Sequence, residues 1–283
     1  MKFSIITPSF RSAEWLKLCI ASVADQGVET EHIVQDAGSD DGTLDWLPRD
    51  PRVKAFVEKD GGMYDAINRG LRRATGDVLA YLNCDEQYLP GALAAVRNYF
   101  ESHPETEIAL GDTVFVDVEG RYLCHRRAVL PGRYHTWVSG SMAFTTSATF
   151  FRRSVIERRH LWFDPSRKVV GDLSWTLKLI EQRVPMGLLG TFTSAFTTTG
   201  ENASLSATGE RERAELRATA PAWARWARAG IVLHYRLRRL LAGGYSLAPF
   251  DYAIYTRQSF QARVTMRVTK PAFGVLRKNP MAQ

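Results

Sequence analysis

The chain has 283 residues, 45% of them apolar, enough to bury a sizeable core in one large domain or one domain with an appendage. Its formal charge of +7 is uneven: residues 221–283 hold 11 Lys and Arg against the single acid Asp251, whereas residues 1–220 hold 26 bases against 29 acids. No apolar run approaches the ~18 residues of a membrane span, FSIIT opens the chain without a charged-then-apolar leader, and Cys19, Cys84 and Cys124 show no CxxC spacing. These features exclude a spanning helix and a disulfide framework. The expectation is a cytoplasmic protein with reduced thiols, whose basic end would meet any acidic surface.

In chain order, residues 3–7 read as an apolar strand ended by the turn signal Thr7-Pro8-Ser9. Trp15, Leu16, Cys19, Ile20 and Val23 follow at helical spacing. Strands are expected at 32–35 and 53–58, then a helix over 63–74 with Met63, Ile67 and Leu71 on one face. Residues 78–82 make a nearly all-apolar strand, and Pro90-Gly91 opens another helix. Strands alternating with helices of this length predict parallel βαβ units. Beyond about residue 105 the alternation loosens, with strands at 114–118 and 148–152 and a helix over 172–182. The most polar stretch, 201–220, reads as a boundary or mobile loop. Residues 223–241 form a basic amphipathic helix, with Arg225, Arg228, Arg236 and Arg239 on one side and Trp226, Leu233, Leu237 and Leu240 roughly opposite. Such a helix either packs on the body with a solvated basic face or lies on an anionic bilayer.

Four runs carry chemistry: TPSF at 7–10, DAGSDDGT at 36–43, DAINRG at 65–70 and LNCDE at 82–86. The first, second and fourth follow buried strands, where open α/β sheets hold their ligands. Asp85 and Glu86 end an apolar strand, and adjacent acids there need a positive neighbour. A divalent cation bridging the phosphates of a nucleotide would supply it, and hard oxygen ligands suit Mg²⁺ or Mn²⁺. The alternative is a pair that favours the start of the next helix. Asp36 stands at a strand exit where a carboxylate can accept a base N–H, and Phe10 could offer that base a ring or pack in the core. Asp40 and Asp41 serve the turn into a helix. Asp172 opens a helix, as an N-cap or as a general base toward an acceptor hydroxyl. The six histidines do not cluster, and there is no GxGxxG, Walker loop or GxSxG.

Together these runs resemble the family 2 glycosyltransferases of GT-A fold, in particular non-processive bacterial members that build surface polysaccharides. The likeness runs through SIITPSFRSAEWLKLCIASVADQ, VQDAGSDDGT, EKDGGMYDAINRGLRRATGDVLAYLNCDE, ATFFRRSVIE, FDPSRKVVGDLSWTLKL and TTGENAS, and more weakly PFDYAIYT. It implies a Rossmann-like, mostly parallel sheet flanked by helices over residues 1–205, with a nucleotide-binding half at 1–105 and an acceptor half at 106–205. A basic helical extension would occupy 206–283. It also implies a metal-assisted, inverting transfer of one sugar from a nucleoside-diphosphate sugar to a saccharide or polyprenol-linked acceptor. Asp36 would bind the base in a pocket lined by Thr7, Pro8 and Phe10; Asp65 and Asn68 would help hold the donor. Asp85 would face the ribose or metal, Glu86 the metal, and Asp172 would be the general base. The anionic inner face of the cell membrane is the expected surface partner, and no nucleic acid is expected. Three positions depart from the family pattern. Glu86 stands where a second Asp is usual, Thr146-Ser147 where His-Gln is common, and QRVP where a processive enzyme has QxxRW. The rival readings are a catalytically silent binder of a nucleotide or anionic polymer and a sugar nucleotidyltransferase. The latter needs a basic Gly-rich phosphate loop, which TPSFRSAEW is not.

Overall fold

In a computed structural model, which describes residues 1–200 and 206–274, the apolar runs assemble into one nine-stranded sheet with helices on both faces, and a two-stranded ribbon forms a second sheet. The first half holds β1 (Phe3–Ser9), α1 (Ala13–Ala24), β2 (Thr30–Asp36), β3 (Lys54–Val57), α2 (Met63–Arg73), β4 (Val78–Tyr81), β5 (Glu86–Tyr88) and α3 (Ala92–Ser102). The second half adds β6 (Ile108–Val116), β7 (Tyr122–Arg126), α4 (Arg133–Ser139), β8 (Thr149–Arg152), α5 (Ser154–Glu157), α6 (Gly171–Glu181) and β9 (Met186–Thr197). The basic end carries α7 (Ala207–Ala218), α8 (Ala222–Trp226), α9 (Arg228–Leu241), β10 (Phe250–Thr256) and β11 (Ser259–Val268).

Strands β3, β2, β1 and β4 lie side by side and parallel, as the alternating pattern predicts. The chain moves outward from β1 through β2 to β3, then returns to place β4 on the other side of β1. That reversal is the topological switch point of an open sheet, and it opens a crevice at the carboxyl ends of the strands. Beyond β4 the sheet turns mixed: β8 is antiparallel to β4 and β6, β9 runs parallel to β6, and β5 closes the edge against β9.

Alternation along β1 sends Phe3 and Ile5 to one face and Ile6 to the other. Phe3 and Ile5 meet Cys19, Val23, Leu93 and Phe100 beneath α1 and α3. Ile6 meets Tyr64, Ile67, Phe163 and Trp175 beneath α2 and α6. Each fully buried large side chain contributes about 2 kcal/mol. Cys19 and Cys84 are buried free thiols, as their apolar settings predict.

Four expectations need correction. Residues 36–43 lead into two short 3₁₀ turns, Thr43–Asp45 and Leu47–Arg49, rather than an α-helix, because Gly42 takes the left-handed conformation and Pro48 follows. The polar stretch at 201–220 contains α7, whose Ser206 cap accepts from the Gly209 N–H at 3.1 Å; residues 201–205 lie outside the described chain. The helix over 223–241 is broken at Ala227. Its apolar ridge also points outward: Trp226 is 95% and Leu241 87% exposed, while Tyr235 and Arg239 are buried. Arg239 turns inward because its guanidinium finds the carbonyls of Arg127 and Ala143 and the Tyr235 hydroxyl at 2.7 Å. Finally, the end of the chain is not wholly helical: β10 and β11 form an antiparallel ribbon whose Tyr252 and Ile254 cover Val114 and Val116.

Candidate functional site at the strand switch point

Topology brings three of the four runs together, since TPSF leaves β1, DAGSDDGT leaves β2 and LNCDE joins β4 to β5. Ser9 and Asp36 are paired across β1 and β2. Asp36 is fully buried and accepts four hydrogen bonds, from Gly38 N at 2.9 Å, Ser39 N at 2.7 Å, and the hydroxyls of Ser9 and Ser39 at 2.8 Å each. This carboxylate shapes the β2 loop from within. Ser39 passes the order on by accepting from Arg11 N, and Arg11 forms a two-pronged pair with Asp40 at 2.6 and 2.7 Å. Asp41 accepts from Thr43 and from Ala13 N, so both acids serve the turn as expected.

Phe10 is exposed at the crevice, with the Arg11 guanidinium 5.0 Å over its ring, and Pro8 is half-buried beside it. Thr7 is turned away: its hydroxyl is buried against His32 Nε2 at 2.8 Å. Asp65 sits in the first turn of α2, accepting from Gly61 N and Arg69, both at 2.9 Å. Asn68 is buried and its amide is spent on Phe163, donating to the carbonyl at 2.8 Å and accepting from the N–H at 3.2 Å. Asn68 thereby fastens α2 to the segment that leads to Asp172.

Asp85 and Glu86 stand at the mouth of β5. Glu86 is fully buried; Oε2 accepts from Asn83 N at 2.8 Å, while Oε1 and the neighbouring Asn83 Oδ1 have no partner among the described residues. Burial, then the Asp85 charge, drives the Glu86 carboxyl well above the usual range, and burial raises Asp85 too. Two orphaned acceptor oxygens beside adjacent carboxylates fit a hard divalent cation. No group of three potential metal-ligating His, Cys, Asp or Glu occurs among the described residues, so the protein would supply only part of a coordination shell.

Asp172 is the second residue of α6, with Val170 as N-cap, and its Oδ1 accepts from Leu173 N at 2.7 Å. It lies partly exposed on the crevice side, near enough for its charge to raise Glu86. Desolvation pushes it up to about 6, although its helix-end N–H groups, Tyr64 and Arg213 pull the other way. The Tyr64 hydroxyl, which donates to Val169 O at 2.9 Å, stands beside it. Gly171 allows this approach, because a Cβ there would come within 2.7 Å of the Tyr64 ring.

Sequence reasoning missed Glu212 of α7. This buried side chain crosses from the basic end and accepts three backbone N–H groups before α6: Lys168 at 2.7 Å, and Val169 and Val170 at 3.0 Å each. The available signal was Ser206 followed by the helix formers of ERERAEL. Burial raises the Glu212 carboxyl, but the three N–H groups and Arg167 outweigh it, and the net shift is downward. Its stabilisation is therefore present above the ordinary glutamate range and fades as pH falls through the lower folded value. Replacing Glu212 by Ala strands three donors, so urea unfolding should show a loss of about 1–3 kcal/mol at pH 7, with a smaller difference at pH 3. An equal loss at both pH values would refute the charge-assisted role.

The Glycosyl transferase family 2 pattern matches residues 4–159. A PGL/p-HBAD biosynthesis glycosyltransferase of Mycobacterium bovis is 34% identical over 127 residues, covering 42% of this chain and 50% of its own length. An uncharacterized glycosyltransferase of Mycobacterium tuberculosis is 30% identical over 162 residues, covering 55% of this chain and 60% of its own. The chain thus spans about half the length of the first relative. Among solved structures, S. aureus TarS 1-349 in complex with UDP-GlcNAc superposes with a TM-score of 0.60 at 19% identity, covering 85% of this chain and 73% of that one. The UDP complex gives 0.58 at 18% identity. At these identities the likeness shows a shared fold.

Proposed function

The chain belongs to glycosyl transferase family 2 and has its GT-A fold, and from that premise we propose that it moves one sugar from a nucleoside-diphosphate sugar to an acceptor hydroxyl with inversion. The observation that supports this reading is the unpartnered Glu86 Oε1 and Asn83 Oδ1 beside Asp85, with Asp172 near enough for its charge to act on Glu86. The base would lie against Phe10 and Pro8 on the loop that Asp36 shapes. Asp65 holds the turn at Gly61. Asp85 and Glu86, with Asn83 Oδ1 at hand, would hold Mg²⁺ or Mn²⁺, and the donor diphosphate and water would complete the shell. Such an ion supplies charge neutralisation for the departing diphosphate.

Asp172 takes the proton of the acceptor hydroxyl as the oxygen attacks the anomeric carbon. The new C–O bond forms on the face opposite the diphosphate, whose C–O bond breaks with its electron pair, so the configuration inverts. A base at about 6 is ionised at neutral pH yet basic enough to share the proton in the transition state. The first experiment is a thermal-shift and donor-hydrolysis screen of UDP-, GDP-, CMP- and dTDP-sugars with Mn²⁺ or Mg²⁺. A donor that stabilises the protein only with metal supports the reading; silence toward all of them favours a catalytically silent binder.

The basic end fits an acceptor held at a membrane. No helix among the described residues is long and apolar enough to cross one, but Trp223, Trp226, Leu233, Leu237, Leu240 and Leu241 are exposed on α8 and α9 among Arg225, Arg228 and Arg236. Exposed apolar side chains interspersed with arginines suit the interface of an anionic bilayer. The protein should float with phosphatidylglycerol vesicles and not with phosphatidylcholine vesicles. An Arg225→Glu, Arg228→Glu, Arg236→Glu variant that floats equally well would remove this role.

A further inference from the structure

A row of side chains crosses four strands on the sheet face that carries Glu86. Glu86 of β5 pairs with Phe196 of β9, Phe196 with Phe115 of β6, and Phe115 with Cys124 of β7. Residues opposite one another share a face, and so do residues two apart, which adds Thr113 and Arg126 to it. The Phe115 and Phe196 rings lie 5.2 Å apart, and the Arg126 guanidinium carbon stands 5.2 Å over Phe115. Two strand spacings, on the order of 10 Å, separate the Phe115 and Glu86 backbones. Phe196, half-buried on β9, occupies the interval and is the ring of this row that a bound sugar would meet.

Arg126 differs from its basic neighbours. Arg127 pairs with Asp112 at 3.3 Å, and Arg239 spends its guanidinium on two carbonyls and a hydroxyl. Arg126 is partly buried, yet among the described residues it has no carboxylate in ion-pair range and no hydrogen-bond acceptor; only the Phe115 ring meets its charge. Burial, then Arg239, pushes it down to about 10. A shielded cation without a counter-charge is unfavourable unless a ligand supplies one, and a guanidinium fork matches phosphate and carboxylate oxygens.

We propose that Arg126 receives an anionic oxygen group of the acceptor, a phosphate ester or a carboxylate, while the acceptor sugar lies along the half-buried Phe196 toward Asp172. This assignment rests on the glycosyltransferase reading. The alternative source of the same chemistry is the donor diphosphate, and the test separates the two. Methyl phosphate, methyl glucuronate, UDP and GDP are titrated against wild type, Arg126→Gln and Arg126→Met, with each sugar-mimicking anion measured with and without nucleotide. At least one of the two anions should bind wild type and lose tenfold or more in both variants, with nucleotide affinity held within twofold. The Arg126→Met melting temperature should not fall, because no hydrogen bond or ion pair is lost, the Met side chain can still pack on Phe115, and a shielded charge without a counter-charge is removed. Anion binding that is absent from wild type or equal in all three proteins overturns the proposal. So does a tenfold loss of nucleotide affinity with the anions unaffected, which would give Arg126 to the donor. If no nucleotide binds wild type but an anion still depends on Arg126, the donor reading falls and the anion site stands.

Discussion

Asp172→Asn should slow sugar transfer by about 10²- to 10⁴-fold and raise the melting temperature at pH 8. Both effects follow from one shift. The carboxyl titrates at about 6 because the crevice desolvates it, so its folded value lies above the ordinary 3.8. The fold therefore favours the protonated form. No penalty exists below the ordinary value, the penalty grows as pH rises through about 6, and it is complete above that. At 1.36 kcal/mol per pH unit, and discounted for the partial exposure of the group, the ionised carboxylate costs about 1–2 kcal/mol. Asn retains an oxygen for Leu173 N and carries no charge. The variant should melt higher at pH 8 and match wild type at pH 4. Loss of a general base removes about 10²- to 10⁴-fold in rate, and wild-type kcat should climb as pH rises from 5 to 7. An Asn variant that transfers sugar within tenfold of the wild-type rate, or melts lower at pH 8, would remove Asp172 from the role of base.

Glu86→Gln should separate donor binding from folding just as sharply. Gln keeps an acceptor for Asn83 N and relieves the repulsion with Asp85 in a fully buried setting, so the protein alone should melt no lower than wild type. The stabilisation by metal and nucleotide together should vanish, and transfer should fall at least a hundredfold, since an ion at a departing diphosphate contributes several kcal/mol. Glu86→Asp withdraws the carboxylate by one methylene and should retain part of the metal response. Equal metal-dependent stabilisation in wild type and Glu86→Gln would place the ion elsewhere.

The reach of sequence reasoning divides along a physical line. Where a segment's contacts are local, its pattern was decisive. The β1–α1–β2 alternation, the α2 stripe of Ile67 and Leu71, and the apolar β4 were all readable, because strand and helix periods follow from backbone geometry. The acids that leave these strands were readable for the same reason. Segments whose structure depends on distant partners were not. The helix α7 looks like a polar linker until Glu212 is seen bonding to Lys168, Val169 and Val170. Arg239 belongs to the basic face of a helical wheel, and only the carbonyls of Arg127 and Ala143 explain why it is buried and the tryptophans are not. Thr7 and Asn68 belong to motif stretches, yet His32 and Phe163 claim their polar atoms.

By itself, then, the sequence determined the parallel first half of the sheet, the strand ends at which acids collect and the family to which the chain belongs, since each depends on short-range pattern or on motif order. The tertiary structure alone decided which acids lack partners, that a helix from beyond residue 205 holds the Asp172 segment, and that a guanidinium without a counter-charge stands on the Glu86 face. Those properties depend on which groups meet across strands and helices far apart in the chain. A buried charge or hydrogen-bonding atom is defined by its surroundings, and its surroundings exist only once the chain has folded.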